Sequence, residues 1–154
     1  MTAWLHAVAE ECLLRVLSIM FGQNVIVVDA SVLAVALGDD AADGRRARAR
    51  LADETLAAPE LIDLEVVSVF RRQVAAKLMP ARRAVGALAD LADLPLQRSQ
   101  HQPLLQRIWE LRHNVTPYDA AYIALAEALD AVLLTSDGRL SRASGVNCAV
   151  EVIG

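Results

Sequence analysis

Aromatic residues, cysteine and lysine are all scarce in this chain of 154 residues, and each shortage closes off a class of function. Aromatics make up 4% of the sequence, too few for the base-stacking sheet by which RNA-recognition motifs grip their ligand. The two cysteines, Cys12 and Cys148, have neither metal-ligand spacing nor a disulfide-rich setting. They are expected to be small buried hydrophobes in a reducing cytoplasm, which is the location the sequence points to. His6, His101 and His113 are scattered and form no ligand set. Net charge is −4, which argues against coating nucleic acid through bulk positive charge. No apolar stretch is both long enough and free enough of charge to be a membrane span or secretion signal.

Apolar residues are plentiful, at 55% of the chain, and mean hydropathy is +0.35. That surplus suits surface reserved for a partner or for self-association. The length fits one domain that buries roughly two thirds of its unfolded surface. Lys77 is the sole lysine, so fourteen of the fifteen basic residues are arginine, several of them adjacent: Arg45 and Arg46, Arg71 and Arg72, Arg82 and Arg83. The guanidinium fork favours phosphate, although a solvated helix face gives the same pattern.

Organisation begins at Val25-Ile26-Val27-Val28-Asp29-Ala30-Ser31. Four branched apolar residues predict a strand buried on both faces, of the parallel-sheet kind. Asp29 ends it, and Ser31 is expected to N-cap the following helix. Later segments predict helices over 41–57, 60–77 and 80–91, with a weak strand at Leu94-Pro95-Leu96. Pro103 and Thr116-Pro117 each open a further helix. Strands at 131–135 and 146–153 close the chain. Alternation of this kind implies a three-layer α/β/α sandwich with a mainly parallel central sheet. The domain is expected over 25–154. Residues 1–24 form an N-terminal extension, either an amphipathic helix over 4–21 or an upstream start-site artefact, with Met20 just before the strand.

Four acids stand out. Asp29 and Asp137 both follow buried strands, at the sheet edge where ligands bind in open α/β folds; Ser136-Asp137-Gly138 is equally a good turn. Asp119, in the first turn of its helix, is close to a capping box with Thr116, and Asp there is favoured by the helix dipole. Glu65 sits in the most apolar helix, whose apolar residues nearly encircle it. A carboxylate buried there without a partner costs several kcal/mol as an order of magnitude, so a base such as Arg72, or a cation, is expected beside it. Asp63 lies on another face as ordinary surface charge. If the four converge, they cannot all ionise without protons or multivalent cations. An all-carboxylate site suits Mg²⁺ or Mn²⁺ over zinc.

These residues carry a resemblance. VVDASVL, APELIDLEVVSVFRR, TPYDAAYIALAEAL and LLTSDGRLSRA, in that order, resemble the PIN domain, and specifically the VapC-type toxin ribonucleases of bacterial toxin–antitoxin pairs. The resemblance implies that Asp29, Glu65, Asp119 and Asp137 bind metal and are catalytic, supported by Ser31 and Thr135 or Ser136. It implies metal-dependent hydrolysis of transfer or ribosomal RNA and restraint by a cognate antitoxin, while the apolar surplus suits a helix-in-groove partner and a symmetric homodimer. Arg71, Arg72, Arg139 and Arg142, nearest the acids in sequence, are the expected phosphate contacts. A phospho-receiver would need a lysine at a strand end, and a haloacid-dehalogenase-type phosphatase an acid in place of Ser31. A catalytically silent PIN-like scaffold is the remaining alternative.

Overall fold

The computed structural model describes residues 25–154. The helix expected over 4–21, with Cys12 and His6, lies outside the described residues. Five strands form one sheet: β1 (Val25–Val28), β2 (Thr55–Pro59), β3 (Leu96–Ser99), β4 (Val132–Thr135) and β5 (Val150–Val152). Their order is β3-β2-β1-β4-β5, and every pairing is parallel. Six α-helices accompany them: α1 (Ala30–Gly38), α2 (Ala42–Leu51), α3 (Ile62–Ala75), α4 (Ala81–Asp93), α5 (Leu105–Glu110) and α6 (Pro117–Leu129). The α/β sandwich expected from the alternating pattern is the fold observed.

Burial explains why β1 and β4 form the middle. Val27, Val28, Leu133 and Leu134 are wholly buried, and the register sets Val27 against Leu133 and Val28 against Leu134. Helix α6 packs on β1, β2 and β4, while α1 packs with α2, α3 and α4. The chain builds outward from β1 through β2 to β3, then returns to the other side of β1 for β4. That reversal makes the gap between β1 and β4 the topological switch point, where such sheets bind ligands at their carboxyl ends. In parallel crossovers each helix runs back along the sheet, so the starts of α1, α3 and α6 gather at this same edge.

Several expected boundaries move. The helix expected over 41–57 ends at Leu51, and its tail is strand β2. Ala57 and Ala58 are helix formers by propensity, but both are fully buried here. Paired on both sides in a crowded central position, they are small enough for α6 to pack upon. Pro59 closes that strand, and the helix expected from residue 60 starts at Ile62 as α3. Pro103 sits inside a short 3₁₀ turn, Gln102–Leu104, that precedes α5. Helix α3 is buried along one stripe, Ile62, Val66 and Phe70, whereas Leu64 is 73% exposed and Val67 42%. It is one-sided, not encircled by core. Asp63 is also more than loose charge, because Arg98 of β3 donates to both its oxygens at 2.8 and 2.9 Å. Among the described residues no helix is long and apolar enough to cross a membrane.

Candidate active site

Asp29 occupies the turn from β1 into α1. Its N–H donates to the Leu134 carbonyl at 2.9 Å, and its own carbonyl accepts from Val32 and Leu33, each at 3.1 Å. Asp29 is therefore the N-cap residue, with extended backbone, and the expectation that Ser31 holds that place is corrected. Ser31 lies inside the first turn and its hydroxyl points back, donating to Asp29 Oδ2 at 2.8 Å. Thr135, the last residue of β4 and fully buried, donates to the same oxygen at 2.7 Å. The two hydroxyls are tied to the far strand end as well. Ser31 Oγ accepts the Ser136 N–H at 3.2 Å, and Thr135 Oγ1 accepts the Asp137 N–H at 3.0 Å.

Glu65 lies in the first turn of α3 and is half-buried. Neither Arg72 nor any other base pairs with it among the described residues. Its partner is Tyr122 of α6, whose hydroxyl donates to Oε2 at 2.5 Å. Burial raises the Glu65 pKa, the Tyr122 hydrogen bond opposes the rise, and the charges of Asp29 and Asp119 add to it. That mutual influence brings three of the four expected acids into one electrostatic site. Tyr122 was not singled out from the sequence because it sits in an apolar run, Tyr122-Ile123-Ala124-Leu125. The available signal was its spacing, three residues beyond Asp119 and hence on a neighbouring helix face.

The cap of α6 is Thr116, and Asp119 is the residue it holds. Thr116 Oγ1 accepts its N–H at 3.2 Å and donates to its Oδ2 at 2.8 Å. The three acids thus share one arrangement. Each has one carboxylate oxygen steered by a hydroxyl, while Asp29 Oδ1, Glu65 Oε1 and Asp119 Oδ1 accept no hydrogen bond from any described residue. Asp137 differs. Arg139 donates to both its oxygens, at 3.0 Å to Oδ1 and 2.5 Å to Oδ2, and holds its carboxyl below the usual range, with a smaller contribution from Arg142.

Asp29 and Glu65 open into a cleft of about 520 Å³ that Ser31, Leu64, Arg72 and Tyr118, among others, also line. Of the four arginines expected at phosphate, Arg72 lines this cleft, Arg139 covers Asp137, and Arg142 stands beside it. Arg71, one residue round α3, lines a separate apolar groove with Val67 and Val74.

The donor chemistry fits a hard divalent cation. Three acids contribute oxygen alone, the donor type Mg²⁺ and Mn²⁺ select, and Glu65 is half-buried beside two like charges with only a hydroxyl to offset them. The acids do not form a closed cage: no group of three or more His, Cys, Asp or Glu side chains among the described residues is drawn to ligand spacing.

Comparison with known proteins agrees with this fold. The PIN domain family model matches residues 26–146. Ribonuclease VapC1 of Mycobacterium tuberculosis (strain ATCC 25618 / H37Rv) is 41% identical over 128 residues, covering 82% of this chain and 96% of the relative. VapC ribonuclease Mb0985 of Mycobacterium bovis is 40% identical, covering 83% of this chain and 98% of the relative. Among solved structures, a chain of VapBC2 from Rickettsia felis, crystallised bound to a DNA fragment from its promoter, superposes with a TM-score of 0.56. It covers 83% of this chain and 98% of its own length, and at 13% identity it speaks to the fold. The chain belongs to the PIN domain family, among the VapC ribonucleases.

Proposed function

We propose that this chain is the toxin of a toxin–antitoxin pair and an endoribonuclease that hydrolyses RNA phosphodiesters with Mg²⁺ or Mn²⁺. The observation that carries the reading is the set of three acids at the switch point, each steered by hydroxyls through one oxygen and open at the other. The names of the relatives support it. Asp29, Glu65 and Asp119 would hold the cation, and Asp137 would join once Arg139 releases it. A bound divalent cation supplies acidity to the attacking water and charge to the leaving oxygen. Ser31 and Thr135 fix the Asp29 carboxylate, Tyr122 fixes Glu65, and Thr116 fixes Asp119, so the three ligands are oriented before substrate arrives. Ser136 anchors Ser31 through its N–H, and Arg72 and Arg142 offer charge to phosphate. The wider reading is a cytoplasmic homodimer held in check by its cognate antitoxin, acting on transfer or ribosomal RNA, with 25–154 as the catalytic domain. Induced expression of the Asp29→Asn and Asp119→Asn variants tests it: each should lose growth inhibition, and RNA cleavage by the parent should stop in EDTA and return with Mg²⁺. A variant as toxic as the parent would overturn the reading.

A further inference from the structure

We infer that the cleft beside the acids seats one nucleobase of single-stranded RNA against Tyr118 and Leu64, with Arg72 at an adjoining phosphate. This rests on the ribonuclease reading above. With a net charge of −4 and acids at its centre, the protein has little bulk electrostatic attraction for a polyanion. Affinity has to come from contacts that do not depend on charge, and stacking on an aromatic ring is the main one available to unpaired bases.

The described residues distribute their aromatics in a way that fits. Phe70 and Tyr122 are buried, and Trp109 and Tyr118 are exposed. Of these two, Tyr118 lines the acid cleft. It is 63% exposed, and Leu64, on the same cleft, is 73% exposed. A single exposed apolar side chain means nothing, but two lining one cleft with acids form a platform. Each immediately precedes an acid, Leu64 before Glu65 and Tyr118 before Asp119. The first turns of α3 and α6 therefore present an apolar surface and a carboxylate one residue apart. Among the described residues Arg72 is the only cation lining the cleft, and it makes no ion pair with any of them. A helical protein segment would instead favour a continuous apolar trough, and one lies elsewhere, between α3 and α4, lined by Val67, Phe70, Val74, Ala84 and Leu88.

The test uses a short single-stranded oligoribonucleotide carrying 2-aminopurine at one position, walked along the strand, with Ca²⁺ replacing Mg²⁺. The parent should bind and quench the probe at one position. Tyr118→Ala should bind at least about five-fold more weakly and lose the quenching. Tyr118→Phe should restore both, Leu64→Ala should weaken binding, and Trp109→Ala should change nothing. In Mg²⁺ the loss in Tyr118→Ala should fall on KM more than on kcat. Unchanged binding and quenching in a folded Tyr118→Ala would overturn the base site while leaving the ribonuclease reading standing. So would unchanged RNA binding together with lost binding of the antitoxin, which would assign the surface to a protein partner. A parent that neither binds the probe nor cleaves RNA would sink the ribonuclease reading itself, and the base site with it.

Discussion

Replacing Tyr122 with phenylalanine removes one oxygen from the core, and its consequences concentrate on Glu65. The ring is 2% exposed, so phenylalanine fills the same space and packing is kept. What disappears is the 2.5 Å hydrogen bond to Oε2. Hydrogen bonds to charged groups contribute about 1.5–3 kcal/mol, and water reaching the half-buried carboxylate recovers part of it, which leaves a cost of about 1–2 kcal/mol. For a chain of this size that lowers Tm by roughly 2–8 °C. The pH dependence carries a sign. Burial raises the Glu65 pKa above its ordinary 4.5, and Tyr122 pulls it back. A raised folded-state pKa means the folded protein binds protons that the unfolded chain has released, so stability falls as pH rises through that window. Without the hydroxyl the pKa moves further up, and the fall from acid towards neutral pH becomes larger in the variant than in the parent. Misorientation of a ligand-bearing carboxylate should also reduce metal-dependent cleavage roughly 10- to 100-fold. Thermal melts at several pH values, with and without Mg²⁺, and cleavage rates measure all three. Parent-like melts and rates at every pH would show that Tyr122 does not orient Glu65, and the shared hydroxyl arrangement would lose its role.

Mg²⁺ should raise the Tm of the parent, and Glu65→Ala should abolish the rise; a metal-dependent shift persisting in that variant would remove Glu65 from the ligand set. Glu127 is pushed up by burial but pulled lower overall by Arg107 and the Asn147 N–H. Its stabilisation is present above about pH 4.5 and lost as pH falls through its depressed folded-state value, so Glu127→Gln should flatten the acid limb of the stability curve, a limb that calorimetry can trace. Gly44→Ala should cost about 1–3 kcal/mol in chemical denaturation, because an added Cβ would lie 1.8 Å from the Asp39 carbonyl oxygen. An unchanged midpoint would mean that this corner of α2 yields freely.

How much of this was legible beforehand depends on whether a residue's role is local. Asp29 and Asp137 announce themselves because each follows an apolar run, and Glu65 because a carboxylate interrupts one. The β1 and β4 strands were equally plain. Strand β2 was not, since Ala57 and Ala58 have helical propensity and are made strand by what flanks them. The same limit hid three features. The role of Tyr122 appears only when α6 meets α3, the exposure of Leu64 and Val67 only when one side of α3 is left uncovered, and the difference between Arg71 and Arg72 only when two clefts form on either side of one helix. Asp137's engagement by Arg139 is local, two residues away, yet an arginine at that spacing fits a phosphate contact equally well.

The hydrogen bond from Thr135 to Asp29 joins residues 106 positions apart, and it bears on when during synthesis the enzyme exists. Asp29 emerges early from the ribosome together with Ser31, yet the second hydroxyl that fixes it, the strand end that carries Asp137 and the helix that carries Asp119 and Tyr122 all belong to the last third of the chain. A nascent chain that stops short of β4 can carry Asp29, Glu65 and Asp119, but it lacks Thr135, Asp137 and the strand that pairs with β1 at the switch point. Termination before that point leaves the early acids without the strand and the hydroxyl that join them, so RNA cleavage is expected only from a chain completed through β4.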